Sequence, residues 1–196
     1  MKSVLKGLVV LIAALVAFSA GATGAWVYAG TSGRMGVESG PGAWRTSKGT
    51  GDASAGLVQR ATVARQGLWA LPQSEVIYFR AITDDEGVAL SNRCTYEIAR
   101  QEDPPTRWWS VTLYRNLFWV DNDLDRYSWT STNLIREDDG GYRIILSKDS
   151  QPGNWLPMGE EDGGFSLIFR NYQPDPSIAL DPKSAPLPAI RRVSCD

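Results

Sequence analysis

The stretch that most restricts the fold is residues 104–128, PPTRWWSVTLYRNLFWVDNDLDRYS, the densest run of aromatic and β-branched residues in the chain. Side chains alternate across a strand with a period of two. Trp109, Val111 and Leu113 therefore share one face, and Trp108, Ser110, Thr112 and Tyr114 share the other. Pro104 and Pro105 set the start of this strand, because proline has no N–H to donate to a ladder. Shorter alternating runs surround it. Residues 74–83 place Ile77, Phe79 and Ala81 opposite Val76, Tyr78, Arg80 and Ile82, and residues 93–100 align Cys94, Tyr96 and Ile98. Residues 117–120 continue the central strand or begin its neighbour, and residues 142–147 and 165–172 alternate again. Polar turns rich in Asp and Gly separate these runs at 84–87, 138–141 and 160–164. Short alternating strands with such turns predict an all-β domain, an antiparallel jelly-roll-like β-sandwich. A short helix precedes it, with Leu57, Ala61, Ala64 and Leu68 on one side, Asp52 or Ser54 as its cap and Gly67 at its end. The proline-rich tail, residues 174–188, is expected to run extended before Ile190 and Cys195 anchor it.

Ahead of the domain, residues 7–29, GLVVLIAALVAFSAGATGAWVYA, carry no charge. A helix needs about 20 such residues to cross a bilayer. Lys2 and Lys6 precede the segment and orient its start toward the cytoplasm. A cleaved signal peptide is the competing reading, with Ala20-Gly21-Ala22 as the cleavage site. Trp26, Val27 and Tyr28 continue past that site and suit an interfacial belt, which favours a retained anchor. The expected organisation is a single-pass inner-membrane anchor over residues 1–29, a Gly/Ser-rich linker over 30–52, and a periplasmic β-sandwich over 53–196. Trp44, in Pro41-Gly42-Ala43-Trp44, interrupts the linker as a residue suited to dock on the domain. Export also bears on Cys94 and Cys195, since paired cysteines are the rule in oxidising compartments. A bridge between them closes a loop of about 100 residues; two unpaired thiols are the alternative.

Composition removes several function classes. There is no histidine, which excludes histidine-based triads, histidine-ligated metals and histidine switches. Two cysteines are too few for a cysteine-only metal centre, so no cofactor and no metal site are expected. The chain has 20 basic and 22 acidic residues; setting Lys2 and Lys6 aside leaves 18 against 22, a net of −4. The basic residues are not clustered, so no nucleic-acid role is expected. Asp121-Asn122-Asp123-Leu124-Asp125 begins like a calcium loop, but Arg126 and Thr132 stand where glycine and a bidentate acid are needed. It reads as a solvated acidic turn.

Two kinds of chemistry stay open. Asp84, Asp85, Glu102, Asp103, Asp121, Asp123 and Asp125 offer carboxylates for glycoside chemistry, although they sit in turn-like runs where acids are common anyway. Tyr96, Tyr114, Arg107 and Arg170 would permit a Tyr/Arg site. Four of the eight tryptophans lie between residues 108 and 129. On one sheet face such rings make a stacking platform for sugars, and in the interior they make a core. Trp108, Trp129 and Trp155 are the candidates for a platform. An arginine inside an otherwise apolar strand, as at Arg107 or Arg170, must find a carboxylate or project into a cleft.

Taken together, several short motifs resemble the bacterial family known as domain of unknown function 1214. They are Pro105-x-Arg107-Trp108-Trp109-Ser110-x-Thr112-Leu113-Tyr114, Arg126-Tyr127-Ser128, Asn154-Trp155-Leu156-Pro157, Arg170-x-Tyr172-x-Pro174 and Pro188-x-Ile190. Ala64-Arg65-x-Gly67-Leu68 and Glu75-x-x-Tyr78-Phe79 extend the resemblance upstream. It implies a jelly-roll-like domain in an exported protein, with no reaction to carry over. Longer members join this domain to a second uncharacterised β domain, so the resemblance implies either a separate companion β-domain chain as partner or a short form that works alone. Motif and chemistry coincide at Arg107, Trp108, Trp109, Tyr114, Ser128, Asn154, Trp155 and Arg170; of these Arg107, Trp108, Tyr114, Ser128, Asn154, Trp155 and Arg170 are the candidate ligand-binding residues. The expected function is a membrane-anchored module binding a partner protein or cell-envelope glycan. The alternative is an envelope-glycan enzyme using carboxylates or Tyr/Arg groups.

Overall fold

The computed structural model describes residues 2–32, 37–47, 49–65, 70–116 and 118–195. Helix α1, Lys2–Ser32, contains an uncharged stretch long and apolar enough to cross a bilayer, compatible with a retained anchor or a signal sequence. The rest is mostly strand, arranged as two sheets. The larger comprises β1 (Val37–Ser39), β2 (Arg45–Ser47), β3 (Val76–Ala81), β5 (Thr106–Arg115), β6 (Phe118–Trp119), β7 (Ser128–Thr130) and β10 (Ser166–Pro174). Its order is β1-β2-β3-β10-β5-β6, with β7 on the same edge of β5 as β6. The smaller, in the order β11-β4-β8-β9, comprises β4 (Cys94–Arg100), β8 (Tyr142–Ser147), β9 (Asn154–Pro157) and β11 (Ala189–Cys195).

Two-sheet β architecture therefore holds, but the strand order differs from the jelly-roll expectation and one pair is not antiparallel. The larger sheet curls into a half-barrel. Strands β8 and β9 run parallel, Ile144 against Asn154 through Ser147 against Pro157. Parallel neighbours usually need a crossover of a dozen or more residues. Here residues 148–153 double back, helped by Gly153 at φ 80°, a backbone region that favours glycine.

The alternation read from the sequence builds the core. Trp109, Val111 and Leu113 of β5, Leu167 and Phe169 of β10, and Ile77, Phe79 and Ala81 of β3 are all buried. Trp109 stacks on Phe169 at 5.1 Å and leans on Tyr142 of β8 at 4.8 Å, while Trp44 meets Phe169 edge-on at 5.8 Å. This aromatic row joins the two sheets, and each such contact adds about 0.5–1.5 kcal/mol beyond the area it buries.

Residues 37–47, read in the sequence as part of a linker, are a hairpin whose second strand pairs with β3. Trp44 is fully buried, and its indole Nε1–H donates to the Pro188 carbonyl at 2.8 Å. Asp85 fastens the same region: its carboxylate accepts from Ala43 N and from Ile190 N. Trp44 was the one residue there suited to docking, and its burial pulls the flanking strands into the sheet.

Helix α2, Leu57–Arg65, forms where the periodicity places it, but Leu57 is 83% exposed. Asp52 does not cap it; its carboxylate accepts from Gln73 N at 2.9 Å. Leu68 and Gly67 lie outside the described residues. The tail is not simply extended. Asp175 caps α3, Pro176–Leu180, by accepting from Ser177 N, with proline in the first turn. A 3₁₀ turn over Pro182–Ser184 follows. Strand β11 then pairs with β4, and Cys195 faces Cys94, to which it is disulfide-bonded.

Candidate functional site

Directly opposed residues of antiparallel strands project to the same face. The register pairs Tyr172 with Trp108, Arg170 with Ser110, Ile168 with Thr112 and Ser166 with Tyr114. It also pairs Arg170 with Tyr78, Thr112 with Ser128 and Ser110 with Thr130. All of these lie on the face of the larger sheet opposite the core. Ser110 and Thr112 are buried at its floor; Tyr78, Trp108, Tyr114, Arg170 and Tyr172 are half-buried above it.

Arg170 stands at the centre of this face. Its Nη1 donates to Thr112 Oγ1 at 3.0 Å and its Nη2 donates to Tyr114 Oη at 2.9 Å. The guanidinium also lies over the Tyr114 ring, 5.6 Å from its centroid. Among the described residues no carboxylate pairs with it. Beside it, Trp108 and Tyr172 make an edge-on contact at 4.9 Å, and Trp108 Nε1 donates to Thr132 Oγ1 at 3.2 Å. Tyr78 Oη accepts from Leu71 N at 3.2 Å. Burial raises the Tyr172 phenol above its ordinary value; Arg170 opposes this, and Tyr78 and Tyr114 add to it. The four side chains thus sit within electrostatic reach of one another.

Of the seven candidate residues, Trp108, Tyr114, Ser128 and Arg170 come together here. Arg107 does not: it has the parity of the core face, projects past its end, and donates to Gln173 Oε1 at 3.0 Å. Asn154 is buried, and its amide clamps the chain by accepting from Ile135 N and donating to the carbonyls of Ile135 and Arg143. Trp155 is in the smaller sheet; its indole donates to Ser147 O, and its own carbonyl accepts from Trp129 Nε1 at 3.1 Å. Trp129 is core, with the Arg126 guanidinium 4.8 Å from its ring centroid. Tyr78 and Tyr172 were not singled out as site residues. The alternation placed Tyr78 opposite its strand's core side, and Tyr172 stands two residues from Arg170, but only the β3-β10-β5 pairing makes them neighbours.

A cleft of about 410 Å³ lies elsewhere, lined among others by Asp121, Asp123, Asp125, Tyr127, Trp155 and Glu160. Its three aspartates belong to a self-contained turn. Asn122 donates to the Val120 and Arg126 carbonyls and accepts from Leu124 N and Arg126 N, using both ends of its amide. Tyr127 donates to Asp125, which holds the phenol above its ordinary value. Among the described residues no group of three or more acids is placed to hold a metal ion. Asp162, hydrogen-bonded to Lys148, and Asp175, hydrogen-bonded to Ser177, are both held below the usual carboxylate value, the opposite of what a general acid needs.

The chain belongs to the family described as protein of unknown function DUF1214, whose profile matches residues 75–176. Every residue of the face lies within that span. The chain is also similar to the crystal structure of the VPA0106 protein from Vibrio parahaemolyticus, at 27% identity and a TM-score of 0.59. The match covers 73% of this chain and 37% of the Vibrio one, so the chain spans little more than a third of that protein's length. An uncharacterised protein from Burkholderia cenocepacia aligns at 18% identity and a TM-score of 0.43, over 88% of this chain and 41% of the other. No curated protein matches the chain.

Proposed function

We propose that this protein is a glycan-binding module held at the inner membrane by α1, with its β domain in the periplasm and its ligand on the outward face of the β3-β10-β5-β7 sheet. The apolar N-terminal helix and the disulfide support export. The observation that carries the binding reading is the convergence on one sheet face of aromatic rings with hydroxyl and guanidinium groups. Tyr78, Trp108, Tyr114 and Tyr172 supply rings, and Ser128 and Thr130 supply half-buried hydroxyls beside the buried Ser110 and Thr112. Sugars present apolar C–H faces bordered by hydroxyls, and such a mixture meets both. The test is co-sedimentation of the detergent-solubilised full chain with insoluble cell-envelope glycan. Trp108→Ala and Tyr172→Ala are each expected to weaken retention about tenfold, the loss of roughly 1.4 kcal/mol of contact. Retention unchanged in both variants removes the face from the proposal.

A second reading, a companion β-domain chain, draws support from Phe118 and Trp119. They are 75% and 61% exposed at the edge of the larger sheet, with Trp119 stacked on Tyr127 at 5.0 Å. Exposed aromatics at a sheet edge are costly to leave to solvent. Gentle extraction from native membranes followed by mass spectrometry decides it: a stoichiometric second chain supports the reading, and recovery of this chain alone removes it.

A further inference from the structure

We infer that Arg170 makes the face selective for an acidic glycan, by receiving a carboxylate of the ligand. The inference rests on the glycan-binding reading and assigns its specificity.

Arg93, Arg115, Arg136, Arg143, Arg191 and Arg192 pair with carboxylates. Arg45, Arg100 and Arg126 donate to backbone carbonyls, and the exposed Arg107 donates to the Gln173 amide oxygen. Among the described residues Arg170, half-buried in the middle of a sheet, donates instead to two side-chain hydroxyls and to no carboxylate. Partial removal of a guanidinium from water without a counter-charge is unfavourable, and a ligand anion reverses that cost on binding. A guanidinium has five N–H donors in a planar fork, so donors remain beyond those given to Thr112 and Tyr114.

The hydroxyls reinforce the same preference. Because Arg170 donates to the Tyr114 oxygen, the phenol proton must turn away from the guanidinium, and it is left to donate outward. Tyr78 is in the same position, since its oxygen accepts from Leu71 N. The centre of the face therefore presents donors, matched by a group that only accepts. One guanidinium balances one negative charge, which suits a carboxylate better than a phosphoryl dianion. The aromatic pair Trp108–Tyr172 lies one alternate position along the strands. A sugar ring stacked there holds its carboxylate within reach of Arg170.

The experiment titrates the detergent-solubilised full chain with the glycan fraction released from cell envelopes, either as isolated or with its carboxyl groups reduced to alcohols. Wild-type protein is expected to bind the isolated fraction at least tenfold more tightly than the reduced one. Arg170→Gln is expected to lose that preference, binding both fractions at the level wild type shows for the reduced one. Tyr114→Phe, which keeps the ring and removes the donor, is expected to narrow the preference severalfold with its melting temperature unchanged. Equal wild-type affinity for the two fractions overturns the inference and leaves the glycan reading standing. Binding of neither fraction overturns both. Displacement of the isolated fraction by inorganic phosphate at equal concentration reassigns Arg170 to phosphoryl groups and also overturns it.

Discussion

Cutting the Cys94–Cys195 bridge should lower stability by acting on the unfolded chain. The two cysteines are register partners at the ends of β4 and β11, 101 positions apart in sequence. Residues 189–192 of β11 pair with β4 through the backbone and Ile190 is buried, contacts that do not involve the sulfur atoms and are expected to survive reduction. The folded geometry is therefore little altered, and the cost is the loop entropy returned to the unfolded state. For a loop of that length the chain-entropy relation gives about 4.7 kcal/mol at 25 °C. A domain of about 150 residues unfolds with an entropy near 0.3 kcal/mol/K, so the expected fall in Tm is about 15 °C. The assay is near-ultraviolet circular dichroism, which follows the packed tryptophans and not the detergent-embedded helix, on wild type and Cys94→Ser/Cys195→Ser. Reductant should bring wild type down to the variant and leave the variant unmoved. A fall of less than about 3 °C, or one that reductant deepens in the variant, refutes the reasoning.

Trp44→Ala removes a fully buried indole, its contact with Phe169 and its bond to Pro188, and is expected to cost about 3–5 kcal/mol by urea titration; no change would detach residues 37–47 from the domain. Asn154→Ala leaves the Ile135 and Arg143 backbone groups unpaired and is expected to cost about 2–3 kcal/mol, with glycan retention per folded molecule unaltered. Asp84 is buried, accepts from Glu86 N and Val88 N, and pairs with Arg192 at 3.4 Å. Asp84→Ala should then cost about 3–5 kcal/mol, whereas Glu86→Ala, removing the exposed partner of the same arginine, should cost under about 1 kcal/mol. Burial pushes the Tyr142 phenol well above its ordinary value. Its folded form thus keeps a proton that the unfolded chain releases near pH 10. The stability it contributes is complete below that pH and is lost as pH rises toward the folded value. Alkaline melts of wild type should fall more steeply above pH 10 than those of Tyr142→Phe; parallel curves would contradict this.

Much of the fold was legible because burial imposes a period of two. Strands β3, β4, β5, β8 and β10 lie where alternation put them, within two residues at each end. The pieces that escaped are short or carried by their partners. Strand β9 ends in proline, β7 has three residues, and the β1–β2 hairpin has a linker's composition and is held by Trp44 and Asp85 from outside. The jelly-roll order was not readable, since alternation says which face a residue takes and not which strand lies beside it. The same limit governs the site. Trp108, Tyr114 and Arg170 stood out as chemistry, and their common face follows from the register of β5 with β10. Arg107 looked equivalent to Arg170 by residue type, but an odd-numbered position on β5 takes the core parity and sends it elsewhere. Asn154 and Trp155 carried motif weight for reasons of architecture, as the clamp and anchor of a parallel strand formed without a long crossover.

The most direct test of the central claim is hydroxyl-radical footprinting of the full chain in detergent, with and without the released envelope-glycan fraction. Trp108, Tyr78, Tyr114 and Tyr172 are expected to become protected while Tyr127 and Trp155, in the acidic cleft, react as before. Protection of Tyr127 and Trp155 with the sheet face unchanged would place the ligand in the cleft and contradict that claim.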